Sequence, residues 1–430
     1  MRIAYIAAGA GGMYCGTCLH DNTLAAALQR RGHDVALVPT YTPIRTDEPG
    51  VSIGRIFFGA VNVYLQQKMA PFRRLPLFDR LLDRPGLLRQ AARLGGSTDP
   101  TSLGDLTLSV LKGEDGFQAR ELAKLAAWLR DDFHPEVVHL TNSMFAGFAR
   151  TLKRELGVPV LCSLQGEDLF LEQLREPWKE KVFAVLRERA RDVDAFLVNS
   201  RWYGDTMAGY LGVEPECMRV VPLGIALDGY EKDGAPGAPG EDRPLTIGYL
   251  ARICPEKGLH VLVEAFRQLV ESEPGPVRLA VAGWLGDRDR AYFKEIEGRI
   301  AGWGLSSFFE YAGEVDREGK LRFLQGLDLL SVPTTYREPK GLFVLEALAS
   351  GVPVVQPRHG SFPEMIEATG GGLLVEPGSA EALAEGLRSL LRDPERRHAL
   401  GRQGREVVHA RFDDGTMAER TLAVYQDAVG

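Results

Sequence analysis

The chain has 430 residues, 45% hydrophobic, 25% charged and 8% aromatic, an ordinary globular composition on a length that exceeds a single hydrophobic core. Its 51 Lys and Arg against 58 Asp and Glu leave a net charge of −7, so the field of the whole molecule does not draw it onto nucleic acid, and no such partner is expected. The opening MRIAYIAAG lacks the cationic start of a secretory leader, no uncharged apolar run approaches the roughly 18 residues that span a bilayer, and five cysteines make no disulfide framework; a reducing cytoplasm is the expected compartment.

In chain order, the first half alternates short β-rich runs with amphipathic stretches. Strands are expected at Arg2 to Ala8, Asp34 to Thr40, Val137 to Thr141, Pro159 to Leu164, Ala195 to Asn199 and Met218 to Pro222. Between the first two, Asp21 to Gly32 carries Leu24, Ala27 and Leu28 at helical spacing and stops at Gly32, a common left-handed helix end. Between the second and third lies a cationic stretch, Gln66 to Arg93. Its seven Lys and Arg against Asp79 and Asp83 give a net +5, with Phe72, Leu75, Phe78, Leu81 and Leu88 interleaved and prolines at 71, 76 and 85. Two readings are open for it: a helical insert (66–118) packed on the first domain, or a surface for an anionic membrane or lipid-linked acceptor.

Residues 228–244, DGYEKDGAPGAPGEDRP, offer almost nothing to bury and read as a linker. The pattern then restarts, with strands at Leu245 to Leu250, Arg278 to Ala282, Phe308 to Ala312, Leu329 to Pro333, Pro353 to Gln356 and Gly372 to Val375. The expected architecture is α/β: two Rossmann-like, doubly wound domains (1–227 and 245–405) facing a central cleft. A C-terminal helix (406–430) is expected to pack back on the first domain. Ligands of such sheets bind outside the carboxyl ends of the strands.

The chemistry concentrates in REPKGLFVLEALASGVPVV, Arg337 to Val355. A helix starting near Gly341 and ending at Gly351 places Leu342, Phe343, Ala349 and Ser350 around Glu346, so Glu346 is a carboxylate on an apolar face and needs a partner. That partner is either a pair of ligand hydroxyls or a neighbouring Arg. Glu338 lies on the loop before the helix, within reach of the same ligand. The amides of Gly341, Leu342 and Phe343, read as free at the helix start, suit an anion such as a diphosphate.

A second constellation is Arg252 with Lys257, on the turn between the strand ending at Leu250 and the helix from Gly258. Two cations at that position suit a diphosphate leaving group. The loop AAGAGGMYCGTC after the first strand lets backbone approach a ligand at Gly9, Gly11 and Gly12, but Tyr14 stands where a dinucleotide fingerprint has its third glycine. A nicotinamide-dependent dehydrogenase is disfavoured. Cys15 and Cys18 sit at the amino end of the first helix, whose dipole is expected to lower a thiol pKa. No second Cys-x-x-Cys follows, and Asp287 to Asp289 reads as a solvated turn, so no metal ligands are expected.

These motifs resemble the retaining, nucleotide-sugar-dependent glycosyltransferases of family 4, which have the GT-B fold. The resemblance is close from Arg243 to Arg392 and looser before, where GG, RGHDV, VVHLTN, VNSRW and VVPLGI carry it. The family's E-x7-E motif is here Glu338 and Glu346, and its Arg and Lys pair is Arg252 and Lys257. The resemblance implies that Glu338 contacts donor sugar hydroxyls, Glu346 holds the ribose, Arg252 and Lys257 clamp the diphosphate, and Gly12 closes over it, with Gly11 beside it. Two positions depart from the family pattern. Gln165 stands where relatives usually carry His, and Gln donates hydrogen bonds but does not titrate. Lys340 stands where an aromatic or small residue is common, beside the donor sugar.

The expected activity is metal-independent, retaining transfer of a sugar from a nucleoside diphosphate sugar to an unidentified hydroxyl, with no cofactor beyond the donor itself. Glu338, Gln165, Arg252 and Lys257 carry the chemistry. The rivals are a nucleotide-sugar epimerase and a protein that binds the donor without transfer.

Overall fold

The computed structural model describes residues 1–9, 15–54, 57–58, 67, 103–230, 244–272 and 276–430. Gly11, Gly12, nearly all of the cationic stretch and most of the linker fall outside them. The described chain forms two units, Met1–Leu223 with Asp414–Gly430, and Gly224–Asp413.

The first unit runs β1 (Arg2–Ala7), α1 (Gly16–Arg30), β2 (Asp34–Pro39), α2 (Gly104–Leu111), α3 (Ala119–Trp128), β3 (Val137–Leu140) and α4 (Ala149–Leu156). It continues through β4 (Val160–Ser163), α5 (Asp168–Glu172), α6 (Trp178–Ala190), β5 (Ala195–Val198), α7 (Arg201–Leu211) and β6 (Met218–Val220). All pairings in its sheet are parallel, in the order β2-β1-β3-β4-β5-β6. Alternation along β1 sends Ile3 and Tyr5 to one buried face and Ala4 and Ile6 to the other, as a sheet covered on both sides requires.

The second unit runs β7 (Leu245–Leu250), α8 (Leu259–Ser272), β8 (Val277–Ala282), α9 (Arg290–Gly302), β9 (Phe309–Tyr311), α10 (Arg317–Gln325) and β10 (Leu329–Leu330). After it come α11 (Leu342–Ala349), β11 (Val354–Pro357), α12 (Phe362–Thr369), β12 (Gly372–Val375), α13 (Ala380–Leu391) and α14 (Pro394–Arg411). Its parallel sheet has the order β9-β8-β7-β10-β11-β12, the 3-2-1-4-5-6 order of dinucleotide-binding sheets, which switches direction between its first and fourth strands. Here that point lies between β7 and β10. In the first unit the reversal falls between β1 and β3.

Several strand ends fall one or two residues from expectation, and three boundaries differ by more. The first helix starts at Gly16 rather than Asp21, because the Leu19 amide already bonds the Cys15 carbonyl at 2.9 Å; its far end is followed by Gly32 at φ +84°. The strand expected to run to Pro333 stops at Leu330: Pro333 has no amide hydrogen, and Thr334 turns back to the Val332 carbonyl at 2.8 Å. Residues 406–411 belong to α14, and the terminal helix α15 begins at Asp414 and runs to Val429. Between the two, the Phe412 carbonyl accepts the Ile225 amide at 2.9 Å, so this backbone pairs with another segment instead of continuing a helix. Met417, Ala418, Leu422 and Tyr425 of α15 are buried in the core that contains Ile3, Leu24, Leu28 and Leu161.

Candidate active site

The loops leaving β7 and β10 meet at the switch point of the second unit. Gly258, at φ +73°, lies so close to the other loop that a Cβ there would sit 1.8 Å from the Pro333 carbonyl oxygen. The Thr335 amide bonds the Glu256 carbonyl at 2.9 Å beside it. This contact sets Lys257 against Tyr336 and Glu338. Lys257 Nζ lies 2.5 Å from Glu338 Oε2 and donates to the Tyr336 hydroxyl at 2.8 Å, while that hydroxyl donates to the same carboxylate oxygen at 2.6 Å. Arg252, exposed two residues beyond β7, accepts a hydrogen bond on its carbonyl from the Tyr249 hydroxyl at 2.9 Å.

A third loop holds Glu338 from behind. The Ser361 amide bonds the Glu338 carbonyl at 2.8 Å, and His359 Nε2 contacts the Thr334 carbonyl at 3.0 Å. Gly360, at φ +60°, approaches so closely that a Cβ would come within 2.4 Å of the Glu338 carbonyl oxygen. Burial by itself pushes the Glu338 carboxyl upward. The charge and hydrogen bond of Lys257, the Tyr336 hydroxyl and the Lys340 amide outweigh it, so its pKa lies below the ordinary carboxylate value. Glu338 is thus a buried, stable anion.

Gly341 precedes α11 as its N-cap, but its amide is not free: it and the Lys340 amide donate to Glu338 Oε1, each at 3.3 Å. The carboxylate three residues upstream takes the Gly341 amide, which corrects the expectation of three open amides. Leu342 and Phe343 supply the first amides of the helix, which have no partner four residues back. All eight residues of α11 are buried, Glu346 among them, and Glu346 Oε1 bonds Lys320 Nζ of α10 at 2.6 Å. Both side chains are under a tenth exposed. The partner of Glu346 is therefore a lysine from another helix, which corrects the expected Arg. An unpaired buried carboxylate costs several kcal/mol, so the pair explains how an apolar helix tolerates it.

One strand beyond the switch point of the first unit, Gln165 follows β4. Its Nε2 donates to Asp21 Oδ1 at 2.7 Å and lies 3.2 and 3.3 Å from Thr141 Oγ1 and the Thr141 carbonyl oxygen. The ionised carboxylate accepts only, which orients the amide, and both N–H hydrogens are spent inside the protein. This corrects the expectation that Gln165 donates to a ligand: its other polar atom, Oε1, is an acceptor. Asp21 also takes hydrogen bonds from the Tyr5 hydroxyl at 2.7 Å and the Thr141 hydroxyl at 2.5 Å. Burial raises its pKa, but His20, Thr141 and Tyr5 together hold it below the ordinary value. Behind it, Tyr5 stacks on His139 at 4.3 Å, and burial pushes that imidazole down to about 3.

Cys18 is buried, and its thiol pKa is raised by a hydrogen bond with Cys15 and by burial; at Cys18 these outweigh the helix dipole, and the expected lowering does not hold there. Asp287 is 93% exposed and bonds Arg290 Nε at 2.8 Å. Among the described residues, no group of three His, Cys, Asp or Glu could hold a metal ion, and no helix is long and apolar enough to cross a membrane. Tyr336, Lys320, Asp21 and the His359 to Ser361 loop were missed in the sequence; the one available signal was the glycine at 360, three residues after the end of β11.

Two family models cover most of the chain: a glycosyl transferase 4-like domain matches residues 21–224, and glycosyl transferases group 1 matches residues 235–407. The chain is 28% identical over 299 residues to a D-inositol 3-phosphate glycosyltransferase of Segniliparus rotundus, covering 65% of this chain and 63% of that one. It is 29% identical over 316 residues to a phosphatidyl-myo-inositol mannosyltransferase of Mycobacterium leprae, covering 71% and 76%. Anabaena Alr3699/HepE, solved in complex with UDP, superposes with a TM-score of 0.69 at 18% identity, over 99% of this chain and 100% of that one. With two parallel six-stranded sheets and matches in both halves, the chain belongs to family 4 of the glycosyltransferases and has their GT-B fold.

Proposed function

We propose that this glycosyltransferase moves a sugar, with retention of anomeric configuration and without a metal, from a nucleoside diphosphate sugar to a hydroxyl acceptor. The observation that carries the reading is the Lys257–Glu338 pair at the β7/β10 switch point, next to the amino end of α11. It sets a cation for a departing diphosphate beside an anion for sugar hydroxyls. HepE in complex with UDP supports a donor of this class. Lys257, Arg252 and the amides of Leu342 and Phe343 stabilise charge on the leaving diphosphate. Glu338 accepts from sugar hydroxyls as the anomeric carbon gains positive charge, Glu346 reaches the ribose, and Lys340 borders the sugar.

The acceptor oxygen bonds to the anomeric carbon on the face from which the diphosphate departs. The bond from that carbon to the diphosphate oxygen breaks, and the acceptor proton passes to the diphosphate. No enzyme carboxylate is assigned as a covalent nucleophile.

Epimerisation needs groups that exchange protons with the sugar; Gln165 does not titrate, and its hydrogens are committed to Asp21 and Thr141. The test is a thermal-shift screen against UDP, GDP, ADP and their sugars, then product analysis by NMR. An α-linked product from an α-linked donor supports the proposal. An inverted product, an epimerised donor, or binding without transfer or hydrolysis overturns it.

A further inference from the structure

Glu338 already has as many hydrogen-bond donors as a carboxylate takes. Oε2 receives Lys257 Nζ and the Tyr336 hydroxyl, and Oε1 receives the amides of Lys340 and Gly341. A carboxylate offers about four lone-pair sites. A sugar hydroxyl can be accepted only after one of these donors leaves. Two are backbone amides held by the start of α11. The third sits on a phenol whose ring is half-buried and whose backbone carbonyl takes the Thr334 hydroxyl at 3.0 Å. The fourth, Lys257, is on a flexible four-carbon stem and has a second anion to go to when a diphosphate arrives.

We propose that Tyr336 is a positioning residue: when the diphosphate draws Lys257 off Glu338, the Tyr336 hydroxyl stays on Oε2 and holds the carboxylate anionic and aimed while the vacated lone pair accepts a donor sugar hydroxyl. The two halves of the donor are thereby coupled, because the diphosphate opens the place the sugar uses. This rests on the donor class proposed above. Without Lys257, the burial of Glu338 favours its neutral form, and a protonated oxygen would donate where the sugar needs an acceptor. The groups facing the carboxylate are Lys257 from the turn after β7, Tyr249 from β7, His359 from the loop after β11, and Tyr336 itself, with the charge of Arg252 acting on Tyr336 and Tyr249. Of these, only Lys257 and Tyr336 donate to it through side chains.

The test compares wild type, Tyr336→Phe and Glu338→Gln. The phenylalanine keeps the ring that lies 5.1 Å from Lys257 Nζ and removes only the hydroxyl. Affinity for UDP, GDP or ADP, whichever gives the largest thermal shift, is measured by calorimetry, and kcat and KM for its sugar are followed from pH 5 to 9. For Tyr336→Phe we expect nucleoside diphosphate affinity within twofold of wild type, which also reports folding. We expect kcat to fall about tenfold, and the acid limb of kcat/KM to move up by about one pH unit because the carboxylate loses a charge-assisted donor. An unchanged kcat and limb, with Glu338→Gln impaired, overturns the role of Tyr336 alone. Weaker nucleoside diphosphate binding at unchanged kcat overturns it too, since the hydroxyl would then be serving Lys257. Full transfer by Glu338→Gln instead removes the site assignment on which the inference stands.

Discussion

Lys257 and Glu338 form a 2.5 Å ion pair between side chains 81 residues apart, each largely withdrawn from water, at 13% and 3% exposure. Neither charge is stable there alone. Lys257→Ala strands Glu338 and removes a donor to the diphosphate, so both stability and turnover should fall. Electrostatic donors of this kind are worth about 3–4 kcal/mol each in the transition state, or a 10²- to 10³-fold loss in kcat. Wild-type activity should survive EDTA. Loss on chelation with recovery on Mg²⁺ or Mn²⁺ would show that the protein's own cations are not enough.

Glu346 has two separable duties, as partner of Lys320 and as a ligand for ribose. Glu346→Ala should cost about 3–5 kcal/mol of stability, because it leaves a buried ammonium unpaired. The double change Lys320→Met with Glu346→Leu should recover most of that in urea unfolding. If Glu346 binds ribose, the double variant still binds nucleoside diphosphate poorly. Glu338→Ala, by contrast, should mainly lower turnover and leave that affinity close to wild type. Normal nucleotide affinity in the double variant reduces Glu346 to a structural role.

Gln165→Glu would set a second carboxylate against Asp21, where Gln165 Nε2 now stands 2.7 Å from Oδ1. Like charges at that separation in a buried site do not both ionise. The melting temperature should drop by several degrees at pH 8 and recover in part toward pH 5, as one carboxyl takes a proton. Gln165→His should be tolerated, its ring N–H donating to Asp21. Equal melting temperatures for the two variants at pH 8 would count against the Asp21 contact.

His139 ties stability to pH. Its folded pKa is about 3, against 6.5 for an exposed imidazole. As pH falls below 6.5, the unfolded chain takes up a proton that the folded one refuses, so stability is lost on acidification down to about pH 3. Between pH 7.5 and 4.5 this amounts to about 2–3 kcal/mol. In His139→Gln the decline in unfolding free energy over that interval should be shallower by about this amount, whatever the substitution does to stability at pH 7.5. Parallel declines would refute it.

The cationic stretch 66–93 can be tested by its charge alone. If it holds an anionic surface, replacing Arg73, Arg74 and Arg80 by Gln should abolish sedimentation with acidic liposomes, as should raised salt. Unchanged sedimentation leaves the packed insert as the reading.

The sheets were legible because each strand is an apolar run closed by turn residues, and where an end moved, at Pro333, the cause was a missing amide hydrogen. Lys257, Glu338 and Glu346 stood out because charge on a strand-to-helix turn or an apolar helix needs a reason. Their partners did not. Lys320, in REGKLRFLQ, reads as one more surface lysine until α10 meets α11. Asp21 reads as an ordinary helix residue until β3 and β4 bring Thr141 and Gln165 to it. Tyr336 is two residues from a marked glutamate, yet that spacing on a loop does not say which way a hydroxyl points. Pairings across such sequence distances are decided by packing, which no local pattern carries.

The last helix gives synthesis an order. The first unit's sheet is complete by β6, but Tyr425, which bonds His139, comes from α15 and is made only after the whole second unit. Until then Ile3, Leu24 and Leu161 face a gap that the terminal helix fills. The second unit, continuous from Gly224 to Asp413, has all its residues in hand earlier. The half that emerges first therefore waits for a segment made after the other half, and a nascent chain stalled before α15 exposes an unfilled apolar face to chaperones and proteases.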